Sequence, residues 1–160
     1  MPPPRIKRPA ESAANKAKPK IFLVHGQNEA IREMVARFIE KLGCEAIILH
    51  EQPNQGKTIF QKFHDHSAVE FAVVLLTGDD RGGRIDISFD GQSKRARQNV
   101  ILEMGFFLGK LGAQNVCCLY EDGVELPSDY DGMLYVSLHT DWKAGLVREL
   151  KSAGIKINSV

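Results

Sequence analysis

Cysteine is scarce in this chain: there are three among 160 residues. Cys117 and Cys118 are neighbours that a strand would turn to opposite faces, and Cys44 lies far away in sequence. That spacing supports neither a disulfide framework nor a metal site. No apolar run approaches the roughly 20 residues that span a bilayer, and the opening Met1-Pro2-Pro3-Pro4-Arg5 lacks the apolar stretch of a secretory signal. Charge of one sign is not in excess either, with 21 basic against 20 acidic residues and a net charge of +1. The domain carries no basic stripe of the kind that tracks nucleic acid. The chain therefore reads as cytoplasmic, with no membrane, nucleic-acid or metal partner expected.

Catalytic motifs are missing as well. There is no Gly-x-Ser-x-Gly elbow and no Cys/His pair at local spacing. Gln55-Gly56-Lys57-Thr58 looks like the end of a phosphate-binding loop, but such a loop needs glycine five positions before Gly56, where Glu51 stands. A carboxylate there would repel phosphate, so a nucleoside-triphosphatase is rejected and a capped helix start is the simpler reading. Asp79 and Asp80 resemble the acidic strand end of a phosphoacceptor receiver. A receiver also wants an acidic pair after its first strand, where this chain has His25-Gly26.

What is present is an ordinary globular composition, 43% hydrophobic and 26% charged, in one domain large enough for a core without staples. Residues 1–19 hold five of the seven prolines and most of a basic cluster; they lack the apolar content to fold and read as a disordered tail or linker. From residue 20 onward the pattern is strand, helix, strand. Lys20–His25, Ala46–Leu49, Phe71–Thr77, Asn115–Tyr120 and Met133–Leu138 are short apolar runs of the kind buried on both faces of a sheet. Between them, helices are predicted over Glu29–Leu42, Thr58–His66 and the stretch Arg95–Leu111, with a closing helix at Trp142–Ala153. Asn28 is the N-cap of the first and Gly43 its stop.

Short connections between alternating strands and helices imply an α/β, flavodoxin-like three-layer fold, with a five-stranded parallel sheet in the order 2-1-3-4-5. That order opens a crevice between strands one and three. His25-Gly26-Gln27, Thr77-Gly78-Asp79-Asp80 and the helix after strand three should line it. On that helix Val100, Met104, Phe107, Leu108 and Leu111 form an apolar stripe. Asn99 and Glu103 share a face beside the stripe, which sets Glu103 at the edge of the core, half out of water. The alternative is a boundary glutamate paired with Arg95, Arg97 or Lys110. His25 is equally a structural histidine at a strand end or a ligand contact, and His50, His64, His66 and His139 show no partner spacing.

Five stretches in order, Ile21–Gly26, His50–Gly56, Phe71–Asp80, Arg95–Gly105 and Glu125–Asp129, carry a family resemblance from about Lys20 to Ile157. The chain resembles the prokaryotic TIR-like, nucleotide-binding domains of antiphage effectors, including those joined to STING-like or cyclic-nucleotide-sensing domains. The resemblance implies an NAD+ glycohydrolase releasing nicotinamide and ADP-ribose or a cyclic form, with NAD+ as substrate and no cofactor. It implies Glu103 as the catalytic residue, and the crevice supplies His25, Gly26, Gln27, Asp79, Asp80, Arg97 and Asn99 as candidate substrate contacts. It also implies self-association through the loop Glu51–Lys57, and an upstream or partner sensor domain. TIR families often have a Trp-Cys pair before the catalytic helix; this chain has Ser88–Arg97 instead. Two other functions fit the same residues: a nucleoside deoxyribosyltransferase-like N-glycosidase, and a non-catalytic TIR assembly module.

Overall fold

Every residue of the first strand beyond Lys20 is withdrawn from water, flanked in the sheet by the second and third strands. The computed structural model describes residues 17–51, 55–127 and 134–159. The tail reading at 1–16 and the centre of the proposed association loop, 52–54, lie outside the described residues, as do 128–133.

In chain order, β1 (Lys20–Val24) leads to α1 (Glu29–Lys41), where the Asn28 side chain accepts a hydrogen bond from the Ile31 N–H at 3.1 Å. Gly43 ends that helix with φ +83°, a conformation that strains any residue with a Cβ. β2 (Glu45–Ile47) gives way to a single 3-10 turn at Leu49–Glu51, two residues before the predicted strand end. α2 (Ile59–Asp65) starts in a reciprocal capping box between Thr58 and Gln61, so the Gly-Lys-Thr sequence is a helix cap here. β3 (Phe71–Leu76) follows, then β4 (Asp80–Gly82) and β5 (Ser93–Arg95). α3 (Gln98–Leu111), β6 (Val116–Tyr120), β7 (Val124–Glu125), β8 (Leu134–Ser137) and α4 (Trp142–Ser152) complete the chain.

The main sheet is parallel throughout and runs β2-β1-β3-β6-β8. Taken as the five predicted strands, that is the expected order 2-1-3-4-5, with β3 central and all six of its residues buried. Alternate residues of each strand feed two cores. Ile21, Leu23, Val73, Cys117 and Leu119 pack with α1 and α4, around Val35, Phe38, Ile39, Trp142 and Leu146. Phe22, Val24, Val74 and Cys118 pack with α2 and α3, around Phe63, Val100, Met104 and Phe107. The Phe63 ring meets Phe22, Phe106 and Phe107 edge-on, with centroids 4.9–5.7 Å apart. This knot joins α2 to α3 and fixes the side chains that each helix turns outward.

The sequence pattern leaves residues 78–94 as a loop, but part of it is a second sheet in the order β4-β5-β7. Arg95 grips Glu125 through two hydrogen bonds of 3.0 and 3.1 Å, which ties β5 to β7. At the opposite, N-terminal edge of the main sheet the chain enters and leaves side by side. The Pro19 carbonyl accepts from the Glu45 N–H, and the Asn158 N–H donates to the Leu42 carbonyl, both at 2.8 Å.

Candidate functional site

At the carboxyl ends of β1 and β2 the strands stop and the two helices of one face diverge. They leave a cavity of about 490 Å³ lined by Leu23, His25, Leu49, His50, Lys62, Arg97, Asn99 and Glu103. His25 follows β1 directly, Leu49 and His50 belong to the turn after β2, and Lys62 comes from α2. Asn99 and Glu103 project from the first two turns of α3, one turn apart.

Glu103 is half-buried, as its position beside the apolar stripe predicts. Of the three pairings that would make it a mere boundary residue, two go elsewhere and Arg97 stays at the same cavity. Arg95 is committed to Glu125, and the Lys110 ammonium donates to the Ser67 hydroxyl at 2.8 Å. Burial lifts the Glu103 carboxyl from 4.5 to about 7, and the positive charge of Arg97 opposes that rise. Such a group is about half ionised at neutral pH, and a cation arriving beside it would drive it fully to carboxylate.

His25 is held in one tautomer: its Nδ1 donates to the Gly26 carbonyl at 2.9 Å, which leaves Nε2 as an acceptor. Burial lowers its pKa from the ordinary 6.5, against the Gly26 bond and with Arg32 and His50 adding to the effect. Lys62 is 7% exposed, which is rare for lysine, and it is engaged within the fold.

Of the residues named from sequence, His25, Arg97, Asn99 and Glu103 come together at this cavity. Gly26, Gln27 and Asp79 form a separate bracket beside it. The Asp79 carboxylate accepts from the Thr77 hydroxyl at 2.7 Å and from the Gln27 N–H at 3.2 Å, and lies against Gly26 so closely that a Cβ there would overlap it. Asp80 stands on β4, exposed and opposite Arg95. The crevice thus opens between β1, β2, α2 and α3, and the loop after β3 does not line it. Sequence reasoning passes over Lys62 and His50. Lys62 carried a signal: it follows Ile59 by three and precedes Phe63, on the apolar side of a short helix.

A second hollow of similar size lies across α3, lined by Ala96, Ile101, Leu102, Leu126 and Pro127 with the paired Arg95 and Glu125. Its charges are already matched to each other, so it offers no reactive group. Among the described residues no cluster of His, Cys, Asp or Glu is placed to hold a metal ion. Nor is any described helix long and apolar enough to cross a membrane.

A parallel sheet in the order 2-1-3-4-5, covered by helices on both faces, defines a flavodoxin-like domain, and its cavity with one half-buried carboxyl lies at the carboxyl edge of the sheet. Residues 20–140 match the family described as CAP12/Pycsar effector protein, TIR domain, and the chain belongs to that TIR-domain family. It is 45% identical over 139 residues to the uncharacterized protein YuaY of Escherichia coli K12, covering 85% of this chain and 46% of that protein. Protein tirC of Dictyostelium discoideum is 33% identical over 141 residues, 82% of this chain and 70% of tirC. CD-NTase-associated protein 12 of Flavobacterium daejeonense is 35% identical over 75 residues, 47% of this chain and 23% of that protein. The chain spans about half the length of the Escherichia coli relative.

Proposed function

We propose that this domain is an NAD+ nucleosidase that cleaves the bond between nicotinamide and ribose, serves an antiviral defence system, and is switched on by self-association. The observation that carries the reading is the Glu103 carboxyl, half-buried at the edge of the α3 stripe and lining the cavity, where burial raises its pKa against the opposing charge of Arg97.

The chemistry needs little else. The C1′–N bond breaks with its electron pair passing to the pyridinium nitrogen, so nicotinamide leaves neutral and no general acid is required. Positive charge develops on the ribose, as in other glycosidic cleavages. A carboxylate in a water-poor cavity stabilises that charge or forms a bond to C1′. Water then adds at C1′ and gives up a proton, or a nucleophile within the ADP-ribose closes a ring. Preorganised electrostatics of this kind is commonly worth about 3–4 kcal/mol. The cationic substrate also creates the carboxylate it needs, by pulling the Glu103 pKa down as it enters. Asn99, one turn before Glu103, is positioned to steady the carboxylate or a ribose hydroxyl.

The test is to incubate concentrated protein with NAD+ and follow nicotinamide by chromatography, with a folded Glu103→Gln variant in parallel. Loss of NAD+ with wild type and none with Glu103→Gln is expected. Cleavage of deoxynucleosides in place of NAD+ would move the chain to the deoxyribosyltransferase-like reading. Equal turnover by both proteins would remove Glu103 from the mechanism, and inertness at every concentration would leave an assembly module.

A further inference from the structure

The loop between β4 and β5 carries its apolar side chains outward. Of the large hydrophobic side chains exposed among the described residues, Ile85, Ile87 and Phe89 all sit on this loop, and Phe89 is 67% exposed. The loop is nevertheless built from within. Arg84 forks onto the Asp86 carboxylate through bonds of 3.1 and 2.9 Å. The Ile87 N–H donates to the Arg84 carbonyl at 3.0 Å, and the Gly91 N–H to the Ser88 carbonyl at 2.9 Å, which closes a 3-10 turn over Phe89–Gly91. The Arg81 guanidinium lies 4.6 Å from the centre of the Phe89 ring. Ile87 packs onto Gly91, where a Cβ would come within 2.8 Å of its methyl. An ordered loop that presents apolar side chains to water is a preorganised anchor, since little freedom is left to lose on docking. The hollow across α3 is the matching half. It has a volume of about 490 Å³, its apolar wall is Ala96, Ile101, Leu102, Leu126 and Pro127, and Leu102 is 69% exposed. The chain's own loop does not fill it, because Ile85, Phe89 and Leu102 all stay open to water.

We propose that the loop bearing Ile85, Ile87 and Phe89 in one copy of this domain seats in the α3 hollow of a second copy. The charges beside the two surfaces fit a like partner. From Arg81 to Gln92 two arginines are balanced by two aspartates, and at the rim of the hollow Arg95 is paired with Glu125. Neither surface therefore carries a net charge that would repel its own copy or select a partner of opposite sign. A knob and a hollow on different parts of one chain make a heterologous contact, which can repeat from copy to copy. The contact is small. A phenylalanine brings about 150–250 Å² to an interface, and three side chains in one hollow stay below the roughly 1,200 Å² of a stable complex. Free domains should thus associate weakly, and tethered ones readily. The proposal rests on the nucleosidase reading only for what assembly would switch on: Leu102 is the neighbour of Glu103 on α3, so a copy seated there bears on the helix that carries the carboxyl.

The experiment is sedimentation equilibrium of the full chain from roughly 1 µM to 1 mM. It is repeated on a loop variant carrying Ile85→Ser and Phe89→Ser, on a hollow variant carrying Leu102→Lys, and on their equimolar mixture. All three positions are exposed, so both variants should fold, and circular dichroism checks that they do. Wild type should assemble as concentration rises, and each variant alone should associate at least about 10-fold more weakly. The mixture should form dimers and stop there, because the loop variant keeps an intact hollow and the hollow variant an intact loop. Wild type that stays monomeric to the highest concentration overturns the proposal. So do variants that assemble like wild type, or a mixture no more associated than its parts. Association lost in the loop variant alone, with anionic lipid vesicles bound by wild type and not by that variant, assigns the loop to a membrane and overturns it too. The expected pattern in a protein that leaves NAD+ intact keeps the contact and removes the nucleosidase. Glu103-dependent cleavage of NAD+ by a protein that is monomeric throughout keeps the nucleosidase and removes the contact.

Discussion

Replacing Glu103 with glutamine should make the protein more stable, and the gain should depend on pH. The Glu103 carboxyl is raised from 4.5 to about 7 by burial. Between those values the folded protein holds a proton that the unfolded chain has released. Stability therefore falls as pH rises through this window, and the full penalty is present above about 7. Moving a carboxyl over that range corresponds to about 3 kcal/mol; water on its exposed flank reduces this, and about 2 kcal/mol is expected for a partly solvated group. Glutamine keeps the shape and never ionises, so Glu103→Gln should melt about 4–8 °C above wild type at pH 8 for a domain of this size. The gap should close as the pH is lowered to 4.5, where the wild-type carboxyl is protonated in the fold. Thermal melts followed by circular dichroism at pH 8, 6 and 4.5 measure it. A variant no more stable than wild type at pH 8, or a difference that is the same at every pH, would refute the account of Glu103 as a carboxylate held against its own solvation.

Three further outcomes are expected. If ionised Glu103 is the working form, kcat/KM for NAD+ should rise about 10-fold from pH 6 to pH 8 and flatten above, since the ionised fraction does the same; a profile flat across that range would contradict it. Gly26→Ala should destabilise the fold by about 1–3 kcal/mol because the new methyl overlaps the Asp79 carboxylate. Urea melts of Gly26→Ala, Asp79→Ala and the double variant should show strong non-additivity, and simple addition would mean that the two residues do not meet. Initial rate per subunit should climb with protein concentration if neighbouring copies complete the site, as a head-to-tail contact would require. A constant specific activity from nanomolar to high micromolar protein in a monomeric sample would rule that out.

The main sheet was legible because burial on both faces leaves a coarse mark. Phe71–Leu76 is apolar without interruption, and no amphipathic element looks like that. Asn28 and Gly43 marked the ends of α1 because caps are local chemistry, and both act as read. The small sheet left no such mark. Asp80-Arg81-Gly82 and Ser93-Lys94-Arg95 are short, polar and mostly exposed, and the sheet they share is completed by β7 through the Arg95–Glu125 contact thirty residues apart. Glu103 was visible because its surroundings are set by its own helix. Lys62 and His50 were not, since their cavity exists only once Phe63 has pulled α2 against α3. Asp79 was found as a residue of interest, but the sequence does not say whether such a carboxylate faces a ligand or braces a turn, and its bonds to Thr77 and Gln27 decide that.

The side-by-side entry and exit of the chain bear on how this domain can be handled as a module. Pro19 and Asn158 are fastened to the turn around α1 and β2 at the N-terminal edge of the sheet, and the Glu103 cavity opens at the other edge, roughly 15 Å away by the length of a five-residue strand. Residues 19 and 158 thus both leave the sheet at the rear of the domain, on the side away from the cavity. Attachment at the rear would leave the cavity mouth free for a neighbouring copy to reach, which completion of one site by the next copy requires.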